Sequence, residues 1–458
     1  MRAFARQMTE RMKAVAAAGA VAAFWLAVWV FAAALVAQPL ILPGPGAVVV
    51  ALLRLACDAG TWAILAGSGA RILGGLALAA ACGGMLAGVS VRSRTFARLV
   101  APALSFVKAT PVACVVVLLL IWLGSACVSI AAVFLMALPG VYFSLVEGLT
   151  QTDKPLEQML RLHGVRGWRL FCAHTWREVL PFAFSCARAV IGMSWKAGVA
   201  AELIGMAVGT VGERIYQAKL LIETADLLAW TVLVVAASWA CERVLVWLLR
   251  VSGPVAWRAA VRAHGRGAHG RAGAASDGAA AELALAVGDR APWAPALGGL
   301  VLNVPAGGRI CVMGASGVGK STLLALAAGE CAPCSMVFQD VRLVEGASAL
   351  DNVLVCADAR VDASSAAALL RLLVPGVDVH ARVAELSGGQ RRRVEIARAL
   401  LRPGGVVILD EPFTGLDAAA RDATTKVVLD LLDGRTLLLA THDAADAQAL
   451  DISDIITL

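Results

Sequence analysis

Long apolar stretches recur through the first 250 residues, and they restrict the fold more than any other feature. A stretch of this kind that enters hydrocarbon must satisfy every backbone N–H and C=O within itself, which a helix does residue by residue. About six such spans can be drawn: roughly 14–37, 61–89, 103–123, 126–145, 181–206 and 227–249. Each is long enough to cross a core of ~30 Å at ~1.5 Å per residue. The first follows Arg2, Arg6, Arg11 and Lys13. It outruns the apolar segment of a signal peptide and lacks a small-residue cleavage site, so it reads as a membrane helix. With 59% hydrophobic and 16% charged residues, the chain does not look like an ordinary soluble enzyme.

The basic residues sort by side. Arg92, Arg94 and Arg98 fall in the second loop, Lys154, Arg161, Arg166, Arg169 and Arg177 in the fourth, and Arg250, Arg258 and Arg262 after the last span. All lie on the side of the N-terminus, which makes that side the cytoplasm. The net charge of +7 is therefore accounted for by membrane topology, and no nucleic-acid partner is expected. The 11 cysteines are scattered and form no disulfide framework. Cys331 and Cys334 have the spacing of half a metal site but no second pair, and read as packing residues.

The chain divides into a membrane domain over 1–255, a flexible Gly/Ala-rich linker over 256–281 and an α/β domain over 282–458. His264 and His269 fall in the linker and read as solvated. The α/β domain holds Gly314-Ala315-Ser316-Gly317-Val318-Gly319-Lys320-Ser321, led by an apolar run and followed by a helical one. A strand that turns tightly into a helix leaves backbone N–H groups free at the helix start, and glycines let that backbone wrap a polyphosphate. Gly314, Ser316, Gly317, Gly319, Lys320, Ser321 and Thr322 are the expected phosphate-binding residues, with Lys320 reaching the β- and γ-phosphates and Ser321 ligating Mg²⁺.

Val406-Val407-Ile408-Leu409-Asp410-Glu411 reads as a buried parallel strand that ends in two carboxylates. Asp410 is expected to hold Mg²⁺ and Glu411 to polarise an attacking water as general base. Leu386-Ser387-Gly388-Gly389-Gln390 opens a basic helix, a second N-terminus suited to an anion.

These motifs together resemble the ATP-binding cassette (ABC) proteins, over roughly residues 282–458. The resemblance implies an α/β P-loop ATPase domain with a helical subdomain, binding ATP and Mg²⁺. It makes Ser387, Gly388, Gly389 and Gln390 the signature motif that faces the phosphate loop of a partner subunit, and Asp417 the D-loop residue. Gln339 takes the place of the Q-loop glutamine, which contacts Mg²⁺ or water, and His442 that of the switch histidine near the γ-phosphate. Two departures stand out. Lys320 and Gln339 are 19 positions apart, about half the family's usual spacing, so a trimmed cassette without its peripheral antiparallel strands is expected. No adenine-stacking aromatic is obvious, Trp293 being the nearest.

Within the fourth loop, Glu157, Gly164, Trp168 and Pro181 are similar to the coupling loop of ABC importer permeases, with Gln158 and Met159 in place of two alanines. Read from the residues alone, the segment is a solvated loop with two short helices around Gly164 and Gly167. Leu42-Pro43-Gly44-Pro45 and Trp195–Glu202 resemble permeases of the nitrate/sulfonate/taurine type. Lys196 and Glu202, both in a membrane span, lie about 240° apart around a helix and are not a same-face pair. Lys196 meets an anionic substrate, snorkels outward or bridges helices.

The resemblance implies a multi-pass protein of the cytoplasmic (inner) membrane with its ATPase in the cytoplasm. It would import a small solute, an anion such as nitrate, sulfonate or taurine or a vitamin precursor. Expected partners are a second copy or a homologous subunit, an extracytoplasmic solute-binding protein and membrane lipid. The rivals are a half-size ABC exporter and an ATP-driven membrane regulator that transports nothing.

Overall fold

The computed structural model describes residues 2–263, 281–287, 297, 299–315, 317–331, 334–358, 360–402 and 404–458. Ser316, Trp293, the His264/His269 pair and most of the expected linker lie outside these residues. The chain forms two compact units, one of Met1–Gln151 with Val179–Arg250, the other of Thr152–Glu178 with Val251–Leu458.

The first unit is helical: α1 (Arg2–Val36), α2 (Pro45–Cys57), α3 (Ala59–Arg92), α4 (Arg94–Ala109) and α5 (Val112–Thr150). After a short helix α6 (Lys154–Leu162), α7 (Gly167–Leu170) and a π-helical turn (Phe171–Thr175), which belong to the second unit, come α8 (Trp176–Gly205), α9 (Val211–Leu220) and α10 (Thr224–Arg262). Among the described residues, four helices are long and apolar enough to cross a membrane: the 19–36 part of α1, then α3, α5 and α10.

The expected third span, 103–123, is corrected. α4 stops at Thr110 (φ −75°, ψ 130°), because the ring of Pro111 disfavours helical geometry in the residue before it. Helix resumes at Val112 and bends at Gly124, whose φ of 71° a side chain would resist. The fifth expected span lies in α8, but Arg188, Lys196 and Glu202 leave it outside the four apolar helices. α2 and α9 are helices in segments that the hydropathy pattern assigns to loops.

Helices α3 and α5 approach closely over small residues. A Cβ on Gly75 would stand 2.5 Å from the Ile130 carbonyl oxygen, so only glycine fits there. Ile72, Val133, Ile191, Trp195, Val211 and Trp230 form a core between α3, α5, α8, α9 and α10. Beside it Glu202 is fully buried and accepts hydrogen bonds from Ser68 Oγ (2.8 Å) and Arg71 Nε (3.2 Å). Lys196 is exposed.

The second unit is built on a sheet with strand order β4-β5-β6-β3-β7: β3 (Arg309–Met313), β4 (Ser335–Val337), β5 (Val406–Asp410), β6 (Thr436–Thr441) and β7 (Asp454–Thr457), every pair parallel. β1 (Leu283–Ala286) and β2 (Val301–Val304) form a separate antiparallel pair. The helices are α11 (Lys320–Glu330), α12 (Ala349–Leu354), α13 (Ala363–Leu373), α14 (Gly388–Leu400), α15 (Ala418–Leu432) and α16 (Ala444–Ala449).

Alternate strand residues enter opposite cores, which is why Val406–Leu409 of β5 and Leu437–Ala440 of β6 are continuous apolar runs. Ile310, Val312, Ile408, Leu438 and Ala440 pack with α11 and the β1–β2 pair. Cys311, Val407, Leu409, Leu437 and Leu439 pack with helices α12 to α16. The first of these cores also takes Leu156, Met159, Leu160, Val165, Leu170, Cys172 and Ala173. The segment between the fourth and fifth expected spans is therefore folded against the sheet and not solvated. Residues 256–262, expected in the linker, continue α10, where Trp257 and Ala260 are buried. Among the described residues no antiparallel strand falls between α11 and β4, in keeping with the short Lys320-to-Gln339 spacing.

Candidate functional site

The parallel register brings three chain segments to one end of the sheet. Met313 pairs with Thr441 and Asp410 with Ala440, so the turns after β3, β5 and β6 emerge together. The β3 turn is the phosphate loop, with Gly317 at φ 85° and Gly319 at φ 115°, values that side chains resist. Lys320 starts α11, is 6% exposed, and donates from Nζ to the carbonyls of Gly314 (2.7 Å) and Ala315 (3.1 Å). Its ammonium is thus held inside the loop whose backbone N–H groups would meet a phosphate. Thr322 follows in the first turn of α11.

Asp410, at the end of β5, is 3% exposed. Burial pushes its carboxyl above the usual carboxylate range; the Ser321 hydroxyl bonded to it and the Lys320 ammonium pull the other way. Its Oδ1 is buried without a hydrogen-bond partner. A buried carboxylate oxygen of this kind, beside a serine hydroxyl, suits a hard divalent cation, so the residues present fit Mg²⁺.

Glu411 follows in the left-handed region at φ 45°, rare for a residue with a side chain. Its backbone N–H is anchored on the Ala440 carbonyl at 2.9 Å, which turns the side chain out of the strand path. Its Oε1 lies 3.3 Å from Nδ1 of His442, which is the residue after β6 and is largely exposed. Behind the histidine, Thr441 Oγ1 donates to Asp446 Oδ2 at 2.6 Å, and Arg421 pairs with Asp446 and Asp443.

Gln339 is exposed, two residues beyond β4. Its loop is held by Arg392, which donates to the carbonyls of Phe338 and Gln339. Ser387 caps α14 in a reciprocal box, its amide donating to Gln390 Oε1 (2.8 Å) and its hydroxyl accepting from the Gln390 amide (3.4 Å). Gly388 and Gly389 open that helix, and a Cβ on Gly389 would come 3.1 Å from the Gly415 carbonyl oxygen. Asp417 caps α15 by accepting from the Ala420 amide at 2.8 Å. The structure thus gathers Lys320, Ser321, Asp410, Glu411 and His442, while Ser387–Gln390 and Asp417 serve as caps of their own helices.

Sequence reasoning missed a buried charge cluster behind this site. Glu395 is fully buried and accepts from Arg392 Nη1 (2.9 Å), Arg398 Nη2 (3.1 Å) and the Arg342 amide (3.2 Å). The signal was present as a lone acid three residues from an arginine on each side, within a helix read simply as basic. Also missed were the anchors of the 152–178 segment. Arg169 Nη2 donates to the Val355 carbonyl (2.9 Å), the Cys334 amide to Leu162 (3.3 Å), and Arg342 Nη1 to Pro155 (3.3 Å).

A phosphate loop, a strand-end acid pair and a facing histidine on one parallel sheet define a nucleotide-binding P-loop ATPase domain. The comparisons carry this further. Residues 332–414 match the family model described as ABC transporter, and residues 80–255 the one described as binding-protein-dependent transport system inner membrane component. The aliphatic sulfonates import ATP-binding protein SsuB 1 of Rhizobium johnstonii is 37% identical over 33% of this chain, which spans 64% of that relative's length. The thiamine import ATP-binding protein ThiQ of Jannaschia sp. is 36% identical over 32% of this chain and 77% of its own length. The dimeric structure of a bacterial ABC transporter cassette aligns over 36% of this chain and 86% of that chain, at 25% identity and a TM-score of 0.32. The chain belongs to the ABC transporter family. It joins an importer-type, multi-pass membrane permease to an ATP-binding ABC ATPase domain on the cytoplasmic side.

Proposed function

We propose that this chain drives ATP-dependent import of a small solute, with the permease and its motor in one polypeptide. The observation that carries the reading is the convergence of Lys320, Ser321, Asp410, Glu411 and His442 in the unit that also packs residues 152–178. The phosphate-loop backbone and Lys320 hold the triphosphate. Ser321 and Asp410, with Gln339, would hold Mg²⁺, which when bound draws charge from the phosphate oxygens. Glu411 accepts the proton of the attacking water, and His442, 3.3 Å from it, steadies that carboxylate next to the γ-phosphate.

Two subunits complete the device, each ATP lying between one subunit's Lys320 loop and the other's Ser387–Gln390 and Asp417. Closure of that pair moves the permease through residues 152–178, and hydrolysis resets it. The partner subunit is a second copy or a homologue, and an extracytoplasmic binding protein delivers the solute. The names of the relatives favour a sulfonate-like anion, with a thiamine-like vitamin precursor second. The test is ATP turnover of the reconstituted chain with Glu411→Gln: hydrolysis should fall at least a hundredfold while ATP still binds. Undiminished turnover would refute the role given to Glu411.

A further inference from the structure

Within the first unit, a cavity of about 600 Å³ opens between α8 and α10, lined by Arg188, Glu242, Arg243, Val246, Trp247 and Arg250. Three guanidinium groups and one carboxylate share it, and among the described residues no ion pair joins any of the four. Arg243 lies over the ring of Trp239 at 4.7 Å, which orients its charge but does not neutralise it. Converging like charges in a helical membrane region are costly unless a counter-charge is supplied. None of these residues belongs to the nucleotide site.

The rim identifies the kind of counter-charge. Trp247 lines the cavity and Trp239 lies under Arg243, and both large rings are left 58–60% exposed. A polar, cationic floor inside an apolar rim fits an amphipathic anion better than a dissolved one. Arg250 and Arg243 are seven residues apart on α10, roughly 10 Å along its axis. That matches the depth of the headgroup layer plus the reach of a snorkelling arginine. Arg188 lies in the first half of α8 and Arg250 in the last turns of the apolar part of α10. These helix ends are flanked in sequence by the basic segments that mark the cytoplasmic side, which places the site toward the cytoplasmic leaflet.

We propose that this cavity binds the phosphate headgroup of an anionic phospholipid of the cytoplasmic leaflet. Arg188, Arg243 and Arg250 hold the phosphate, Trp239 and Trp247 pack at the glycerol level, and Glu242 limits affinity by its own charge. Native mass spectrometry of the full chain, delipidated and titrated with phosphatidylglycerol or phosphatidylcholine, tests this. Wild type should retain phosphatidylglycerol preferentially. Joint substitution Arg188→Gln, Arg243→Gln and Arg250→Gln should weaken that retention about tenfold or more, and the same three positions changed to Lys should keep most of it. Glu242→Gln should strengthen retention, which guards against a misfolded arginine variant. Equal retention of the two lipids by wild type, or no change in the glutamine variant, overturns the proposal. So does unchanged or weaker retention in Glu242→Gln, or displacement of the lipid by millimolar inorganic phosphate, which would make this a site for a dissolved oxyanion.

Discussion

His163 makes the docking of residues 152–178 sensitive to acid. It is fully buried at the end of α6, its Nδ1 is 2.9 Å from the Met159 carbonyl oxygen, and its Nε2 has no partner. Burial, with Arg398 and Arg402 nearby, lowers its pKa from 6.5 to about 3. The folded value lies below the unfolded one, so the docked segment requires the neutral ring. Above pH ~6.5 neither state takes a proton and stability does not depend on this group. Below it the undocked segment gains a proton that the docked one refuses, and stability falls progressively until pH ~3. Two states with pKa values of 6.5 and about 3 differ by about 1.4 kcal/mol at pH 5.5, a factor of ten, and by about 5 kcal/mol at the acid limit. Hydrogen exchange of the α6 amides, read at pH 7.5 and 5.5 in wild type and His163→Asn, checks this. Relative to the variant, wild type should lose about tenfold in protection at pH 5.5 and nothing at pH 7.5. Parallel behaviour of the two proteins would show that the imidazole is solvated or charged when docked, and the reasoning would fail.

Other residues give further tests. Gly164 sits at φ 77°, and a Cβ there would come 2.6 Å from Arg402 Nη2; Gly164→Ala should cost about 1–2 kcal/mol for the backbone, with a smaller cost because the arginine tip can shift. Differential exchange over residues 154–175 would measure it. Glu395→Gln leaves two buried arginines short of a counter-charge and should destabilise the ATPase unit by about 3–5 kcal/mol. Pairing it with Arg398→Met should recover much of that loss in thermal unfolding, and simple additivity would show the three charges to be independent. Glu202→Gln should lower the melting temperature of the detergent-solubilised chain, since Arg71 would lose the only charged partner it has among the described residues.

The nucleotide site was readable because its chemistry is written in consecutive residues. Glycine spacing dictates the loop, and an unbroken apolar run ending in Asp410-Glu411 dictates a central strand. Their meeting requires only that parallel strands share a direction. The membrane helices were readable as existing but not as bounded. Hydropathy falls only briefly around Lys108-Ala109-Thr110-Pro111, within an apolar stretch long enough for one span, although backbone sterics break the helix there. What stayed hidden depends on distant partners. Leu156, Met159 and Leu160 look like one face of a solvated amphipathic helix until the fold buries them in the core beside the sheet. Arg392 and Arg398 look like surface charges until Phe338, Gln339 and Arg342 present carbonyls to them.

Those carbonyls belong to the loop that leaves β4, and Arg342 shows how the loop can pass on a displacement. Its amide donates to Glu395 and its carbonyl accepts from Arg398, so its backbone is fixed to α14, the helix that begins at Ser387-Gly388. Its guanidinium lies 3.8 Å from the Phe338 ring centroid and donates to Asp340 and, at 3.3 Å, to the Pro155 carbonyl. One residue therefore touches the helix capped by Ser387, the loop that carries Gln339, and the segment 152–178. Buried charges with fixed hydrogen-bond geometry transmit small shifts without slack, because a displaced partner leaves a group unsatisfied at a cost of about 1–3 kcal/mol or more. Under the function proposed above, a rotation of α14 on closure about ATP would drag residues 338–342 and pull on Pro155. An apolar core in place of Glu395 and its two arginines would pack as well, but it would let that rotation slip.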